Sequence, residues 1–304
     1  MNDQRMRLSK TAYFAFFAVY LIWGSTYLAI KYAIATIPPW SLSTLRFSVA
    51  GAVMILLALA MRETRLKKSE LKIALLSGPL LVVANGVVCV VEQWIASGVA
   101  ALIIGAMPIW IMFIGWLAFQ QTKPDSRKLI GAVLGLMGVS LIAGGGFSSQ
   151  NANASLGNFI LIGSSLLWAV GTLIQRKTGK IQSPFLFSGV QMAAGSLITM
   201  LFAFMSETPL LYNWNAVTPS SWAALVYLIV FGSLIAFTAY GWLSRNVEPH
   251  LVSTYALVNP IVAVALGSIF YNEPITLRFV VATALVAAGL SLFVIKRKSV
   301  VPVS

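Results

Sequence analysis

Nearly the whole chain consists of apolar runs of about 20 residues, the length a helix needs to cross a bilayer, divided by short polar links. Membrane β-strands alternate in and out over roughly 10 residues, and these runs are too long and too evenly apolar for that. Ten spans are expected, at residues 13–35, 40–61, 71–91, 97–119, 128–144, 156–177, 184–205, 221–243, 250–271 and 277–295. The faintest division is between the third and fourth, where only Glu92-Gln93-Trp94 and Ser97-Gly98 interrupt the run. The longest links, residues 145–155 and 206–220, are too short for a soluble domain. Composition agrees: 59% of residues are hydrophobic and 10% charged, against about 25% charged in soluble domains. The expected fold is an all-α membrane protein of ten transmembrane helices.

A net charge of +13 would suit a polyanionic partner, but the charges are placed by topology. Arg5, Arg7 and Lys10 precede span one; Arg62, Arg65, Lys67, Lys68 and Lys72 follow span two; Lys123, Arg127 and Lys128 follow span four. Arg176, Lys177 and Lys180 follow span six, Arg245 follows span eight, and Lys296, Arg297 and Lys298 come near the end. Eighteen of the 21 basic residues thus lie on one side. The positive-inside rule makes that side, and both termini, cytoplasmic. No nucleic-acid partner is expected. The basic start followed by an apolar run looks like a signal peptide, but the run is too long and lacks a small-residue cleavage site, so a retained span is expected. The lone Cys89 excludes an internal disulfide framework and a cysteine metal cluster.

The apolar pattern repeats. Trp23, Pro39, Ser43 and Arg46 are answered by Trp168, Pro184, Ser188 and Gln191, each 145 residues on. LIWGSTYLAIK, beginning at Leu21, matches LLWAVGTLIQR, beginning at Leu166. At slightly longer offsets Trp94 pairs with Trp242, Pro108 with Pro260, Arg127 with Arg278 and Gly138 with Gly289. Long internal periods mark duplicated architecture. The unit is five spans, residues 1–145 and 146–304. Five is odd, so the second half enters the membrane upside down. Inverted repeats are a recurrent plan of secondary transporters, with substrate bound near the midplane between rocking halves.

Ten spans in two inverted halves, the WGSTYLAIKYAIATIPP opening and the EQWIASGVAALIIGAMPIW segment together resemble the drug/metabolite transporter superfamily, EamA type, over about residues 13–295. The resemblance implies a carrier in the bacterial inner membrane that exports amino acids or similar small metabolites, with no cofactor or metal and a small molecule and the lipid bilayer as partners. A monomer is expected, with a dimer as the alternative. A toxic-cation exporter of the same fold and a non-selective channel are the competing readings. The family carries no strict catalytic signature, so site residues rest on this chain.

Polar side chains inside a span are costly unless they face protein or water, which makes each a candidate. Spacing of i, i+4 and i+7 or i+8 places residues on one helix face. Trp23, Tyr27 and Lys31 share such a face on span one, with Trp168, Thr172 and Arg176 as the image. Asn85, Cys89 and Glu92 share one on span three, with Ser233, Phe237 and Tyr240 as the image. Span nine offers Tyr255 and Asn259. Tyr hydroxyls and Asn amides donate and accept hydrogen bonds, and Trp and Tyr rings attract an ammonium group, so the set suits a zwitterion or a planar metabolite. Packing, interfacial belts and inter-helix hydrogen bonds are the alternative roles.

Arg46 and Glu92 are the sharpest ionisable candidates. Arg46, inside span two, holds a substrate carboxylate, pairs with Glu92 or backbone carbonyls, or snorkels outward; guanidinium geometry suits the first. Lys31 is expected to snorkel. Glu92, near the outer end of span three, is the carboxylate best placed to carry a proton, but no carboxylate or His lies at the midplane. The single His250 opens span nine. A facilitator or exchanger therefore stands beside proton antiport. Pro79, Pro108 and Pro260 interrupt spans three, four and nine; Pro108 and Pro260 are expected to give symmetric kinks, as hinges or as static bends. Gly131, Gly135 and Gly138 give span five a small-residue face, for packing within the bundle or for dimerisation. No HExxH pattern, P-loop or glycine-rich fingerprint supports an enzyme, and no charge ring or filter-like loop marks a channel.

Overall fold

The computed structural model describes residues 9–63, 65–143, 153–179, 181–247, 252 and 254–294. Among them ten apolar helices follow in the expected order: α1 (Lys10–Ile34), α2 (Pro39–Ala60), α3 (Lys68–Val91), α4 (Ser97–Ala118), α5 (Ser126–Ala143), α6 (Asn153–Arg176), α7 (Pro184–Ser206), α8 (Pro219–Leu243), α9 (Tyr255–Tyr271) and α10 (Leu277–Val294). Seven, α1–α4 and α6–α8, are long and apolar enough to cross a membrane. The others are shorter apolar helices of 17 or 18 residues. Arg5, Arg7, Lys180, His250, Lys296, Arg297 and Lys298 lie outside the described residues, as do the side chain of Arg245 and the 145/146 boundary between the halves.

Local chemistry sets the helix ends. Pro39, Pro184 and Pro219 open α2, α7 and α8, where a missing N–H costs nothing and the fixed φ favours the first turn. Arg62, Gln120, Thr208 and Asn272 take positive φ just past α2, α4, α7 and α9, the left-handed stop that ends many helices. These four are two repeat pairs, Arg62 with Thr208 and Gln120 with Asn272, so the same stop is built in both halves.

Beside three of these stops a glutamate caps the start of the partner helix. Glu207 at the end of α7 accepts from the Trp40 N–H at 2.6 Å, the Ser41 N–H at 2.7 Å and the Ser41 hydroxyl at 2.8 Å, at the start of α2. Reciprocally, Glu63 after α2 accepts from the Phe185 N–H at the start of α7 at 3.0 Å. Glu273 after α9 accepts from the Ser97 N–H and hydroxyl at the start of α4, both at 2.7 Å. A carboxylate there satisfies orphan N–H groups and lies at the positive end of the helix dipole. The two helices of each repeat pair are thus tied by their termini.

Glycines set the close approaches. A Cβ on Gly51 would fall 3.1 Å from the Ala193 nitrogen, bringing α2 onto α7. One on Gly138 would fall 2.7 Å from the Ala282 oxygen, and one on Gly289 2.4 Å from the Gly131 oxygen. The small-residue face of α5 therefore packs on α10 within the bundle, the first of its two expected uses.

Three irregularities depart from the sequence expectation. α1 widens to a π-helical turn at Val19–Trp23 and α8 does so at Leu228–Ile235; hydropathy is blind to both. The two helices bearing the image prolines differ in continuity: α4 is interrupted at Ala106, between Ser97–Gly105 and Met107–Ala118, with Pro108 opening the second piece. Pro260 lies inside an unbroken α9, and Pro79 inside an unbroken α3. The break leaves Gly105 against Pro260: a Cβ there would meet the Pro260 ring and the Ala256 oxygen, both at 3.0 Å.

Candidate substrate-binding cavity

The two π-helical stretches face each other across the middle of the bundle. A π turn leaves carbonyls outside the regular ladder, and the Gly232 oxygen accepts the Trp23 indole N–H at 3.2 Å. Around this contact is a cavity with about 1000 Å³ of empty space, its open mouth included. It is built from α1, α2, α3, α4, α6, α7, α8 and α9. Both halves contribute.

Of the sequence candidates, Trp23, Tyr27, Arg46, Asn85, Trp168, Tyr255 and Asn259 line this cavity. The Trp23 ring lies 5.0 Å from that of Tyr240 and 5.3 Å from that of Tyr255, edge-on to the latter. Tyr240 is 5.7 Å from Tyr255, so it joins the aromatic cluster without reaching the lining. Asn259, with its amide turned so that the nitrogen faces the Tyr20 and Tyr255 main-chain oxygens at 3.2 Å, ties α9 to α1.

Arg46 is 4% exposed. Its Nε donates to the Ser233 hydroxyl at 2.9 Å and its Nη1 to the Asn85 carbonyl oxygen at 3.1 Å. Both partners are neutral. Among the described residues no carboxylate pairs with it and none lines the cavity. Snorkelling and pairing with Glu92 are both excluded by this geometry. The image residue Gln191 also lines the cavity, donating to the Ser77 hydroxyl at 2.7 Å and leaving its own amide oxygen buried without a partner.

Glu92 lies elsewhere. It is fully buried just past α3, off the cavity wall, with both carboxyl oxygens unpartnered. Lys31 donates to its main-chain oxygen and sits 6.0 Å from the Tyr271 ring. The Lys31 ammonium therefore ends on protein groups. Cys89, Thr172, Arg176 and Pro108 are also off the wall. Ser233 and Phe237, which the sequence raised only as images, are on it. Thr26, Phe47 and Met192 line it too. No sequence signal marked them, because apolar and hydroxyl side chains are ordinary anywhere in a span.

A ten-helix bundle in two five-helix halves, with a largely apolar cavity holding a few polar groups where they meet, defines a small-solute carrier of the bilayer. The profile of the EamA-like transporter family matches twice, at residues 10–144 and 155–295. The chain belongs to the EamA-like transporter family. It is 33% identical over 267 residues to the Uncharacterized inner membrane transporter YedA of Escherichia coli (strain K12), covering 87% of this chain and 84% of that one. It is 26% identical to the Uncharacterized transporter YvbV of Bacillus subtilis (strain 168), covering 96% of this chain and 93% of that one. It is 22% identical to the Probable amino-acid metabolite efflux pump of Salmonella typhimurium, covering 93% and 94%. A solved crystal structure superposes with a TM-score of 0.66 at 19% identity, covering 93% of this chain and 96% of that chain, a likeness of fold.

Proposed function

We propose that this membrane transporter moves small carboxylate-bearing metabolites, amino acids foremost, out of the bacterial cell across the inner membrane by alternating access. Both termini are then cytoplasmic, as the basic links require. The observation that carries the reading is Arg46, a buried guanidinium held by two neutral partners in a cavity with no carboxylate on its described wall. A buried cation without an anion is costly, and a substrate carboxylate in bidentate contact relieves that cost. The Trp23, Tyr255 and Trp168 rings supply apolar contact and attraction for an ammonium group. A toxic cation would meet the charge of Arg46 with nothing to offset it. The name of the Salmonella relative supports outward transport of amino-acid metabolites.

Counterflow in liposomes loaded with a panel of unlabelled amino acids tests the reading. Saturable uptake of the matching labelled compound is expected, falling about a hundredfold in Arg46→Gln with the protein still folded. Unsaturable flux would instead mark a channel, and uptake of organic cations that survives Arg46→Gln would mark the cation exporter.

A further inference from the structure

A second cavity, with about 830 Å³ of empty space, lies at the end of the bundle where α3 turns into α4 and α9 into α10. Trp94, Gly98, Asn158, Val264, Glu273 and Phe279 are on its wall. Its polarity is the reverse of the central cavity: it has a carboxylate and no Lys, Arg or His among its described lining residues.

Three observations point to what it takes. Asn158 is 2% exposed and its side-chain amide oxygen has no hydrogen-bond partner. An orphan buried acceptor costs roughly 1–3 kcal/mol, so the site lacks a donor. Glu273, fixed by the Ser97 N–H and hydroxyl, adds a second acceptor whose orientation is set in advance. Glu92, within electrostatic reach of Lys31 and then of Glu273, also leaves both carboxyl oxygens without a hydrogen-bond partner. Two cations are close by, and both are engaged on main-chain oxygens: Lys31 on that of Glu92 and Arg278, next to Phe279, on that of Leu141. A bare Ca²⁺ or Mg²⁺ ion would need six or more oxygen ligands, and a wall of Trp94, Val264 and Phe279 does not offer them. An organic ammonium fits both the acceptors and the rings.

We propose that this second cavity is a binding site for a primary ammonium group, carried either by a small soluble amine or zwitterion or by an ethanolamine lipid headgroup. The group donates N–H to Asn158 and Glu273 with its carbon chain against Trp94 and Phe279. The site is separate from the Arg46 cavity and stands whether or not amino acids are the cargo.

The test uses Ala154→Cys, on the cavity wall, in full-length protein in phosphatidylcholine nanodiscs. The native Cys89, fully buried, gives the background. The rate of labelling by cationic aminoethyl methanethiosulfonate is divided by that of anionic sulfonatoethyl methanethiosulfonate and referred to a free thiol. The site predicts a ratio about tenfold above that reference, collapsing to near the reference in Glu273→Gln. Hexylammonium is expected to protect the thiol and hexyltrimethylammonium, which has no N–H, is not; Asn158→Leu, which leaves the α4 cap intact, is expected to abolish the protection. Protection by hexylammonium identifies a soluble source. Loss of labelling on changing the lipid to phosphatidylethanolamine, with nothing else added, identifies the headgroup. A ratio at or below the free-thiol value, no labelling of Ala154→Cys in phosphatidylcholine, equal protection by both amines, or no effect of either source overturns the proposal.

Discussion

The contact of α3 with α7 and that of α8 with α2 are the same interface in the two inverted halves, yet one is closed and the other is held apart. In the closed copy a Cβ on Gly78 would lie 2.3 Å from the Gln191 main-chain oxygen, and one on Gly195 2.4 Å from Val82. In the open copy Val226 stands where Gly78 does, Ala50 replaces Gly195 and Arg46 replaces Gln191. Val226 and Val230 are 56% and 36% exposed, so that edge of α8 faces away from the bundle. The Arg46 guanidinium fills the gap, 3.0 Å from where a Cβ on Gly232 would be. Duplication made the halves alike in topology; two glycines and one charge made them unlike in packing, and the cavity borders both contacts.

Swapping the unlike residues breaks this comparison where it is strongest. Gly78→Val sets a side chain against backbone that cannot move aside, and is expected to cost about 3 kcal/mol of stability in detergent. Val226→Gly, at the equivalent but exposed position, should cost only about 1 kcal/mol, as glycine does inside any helix. Equal losses in the two thermal unfolding curves would show that the interfaces are not packed differently. Next in size is Gln191→Arg, which puts the charge of the open copy into the closed one. An uncompensated buried cation there is expected to cost roughly 3 kcal/mol, and cysteine pairs across α3 and α7 should crosslink more slowly.

The smallest effects sharpen the comparison at the helix ends. Glu207 holds three donors and Glu63 one. Glu207→Gln is therefore expected to cost about 2 kcal/mol and Glu63→Gln about 1 kcal/mol, read as denaturation midpoints of the reconstituted protein. A larger loss for Glu63→Gln would reverse the order in which the two ties hold α2 and α7 together.

Much of this was legible before any coordinates. The ten helices fall within a few residues of the expected spans because hydropathy reports on transfer to lipid, a property of the segment itself. Seven of nine candidate binding residues line one cavity because polar side chains in a span must find protein or water. Helix faces were read less well. Trp23 and Tyr27 reach the cavity but Lys31 does not; Trp168 does, but Thr172 and Arg176 do not. Spacing says which residues share a face, and only the neighbours say how much of that face is uncovered. The unequal prolines follow the same rule: Pro108 and Pro260 are images, but α4 breaks beside one and α9 continues through the other.

By itself, then, the sequence determined the helix count, the duplication and its inversion, since a bilayer requires each span to satisfy its backbone internally and five is odd. Only the tertiary structure decided which of the two equivalent interfaces closed, where α1 and α8 widened, and that the Arg46 guanidinium would have neutral partners while the Glu92 carboxyl oxygens would have none. Those outcomes depend on packing between segments far apart in the chain, where a few tenths of an ångström around Gly78 or Gly195 decide whether two helices touch.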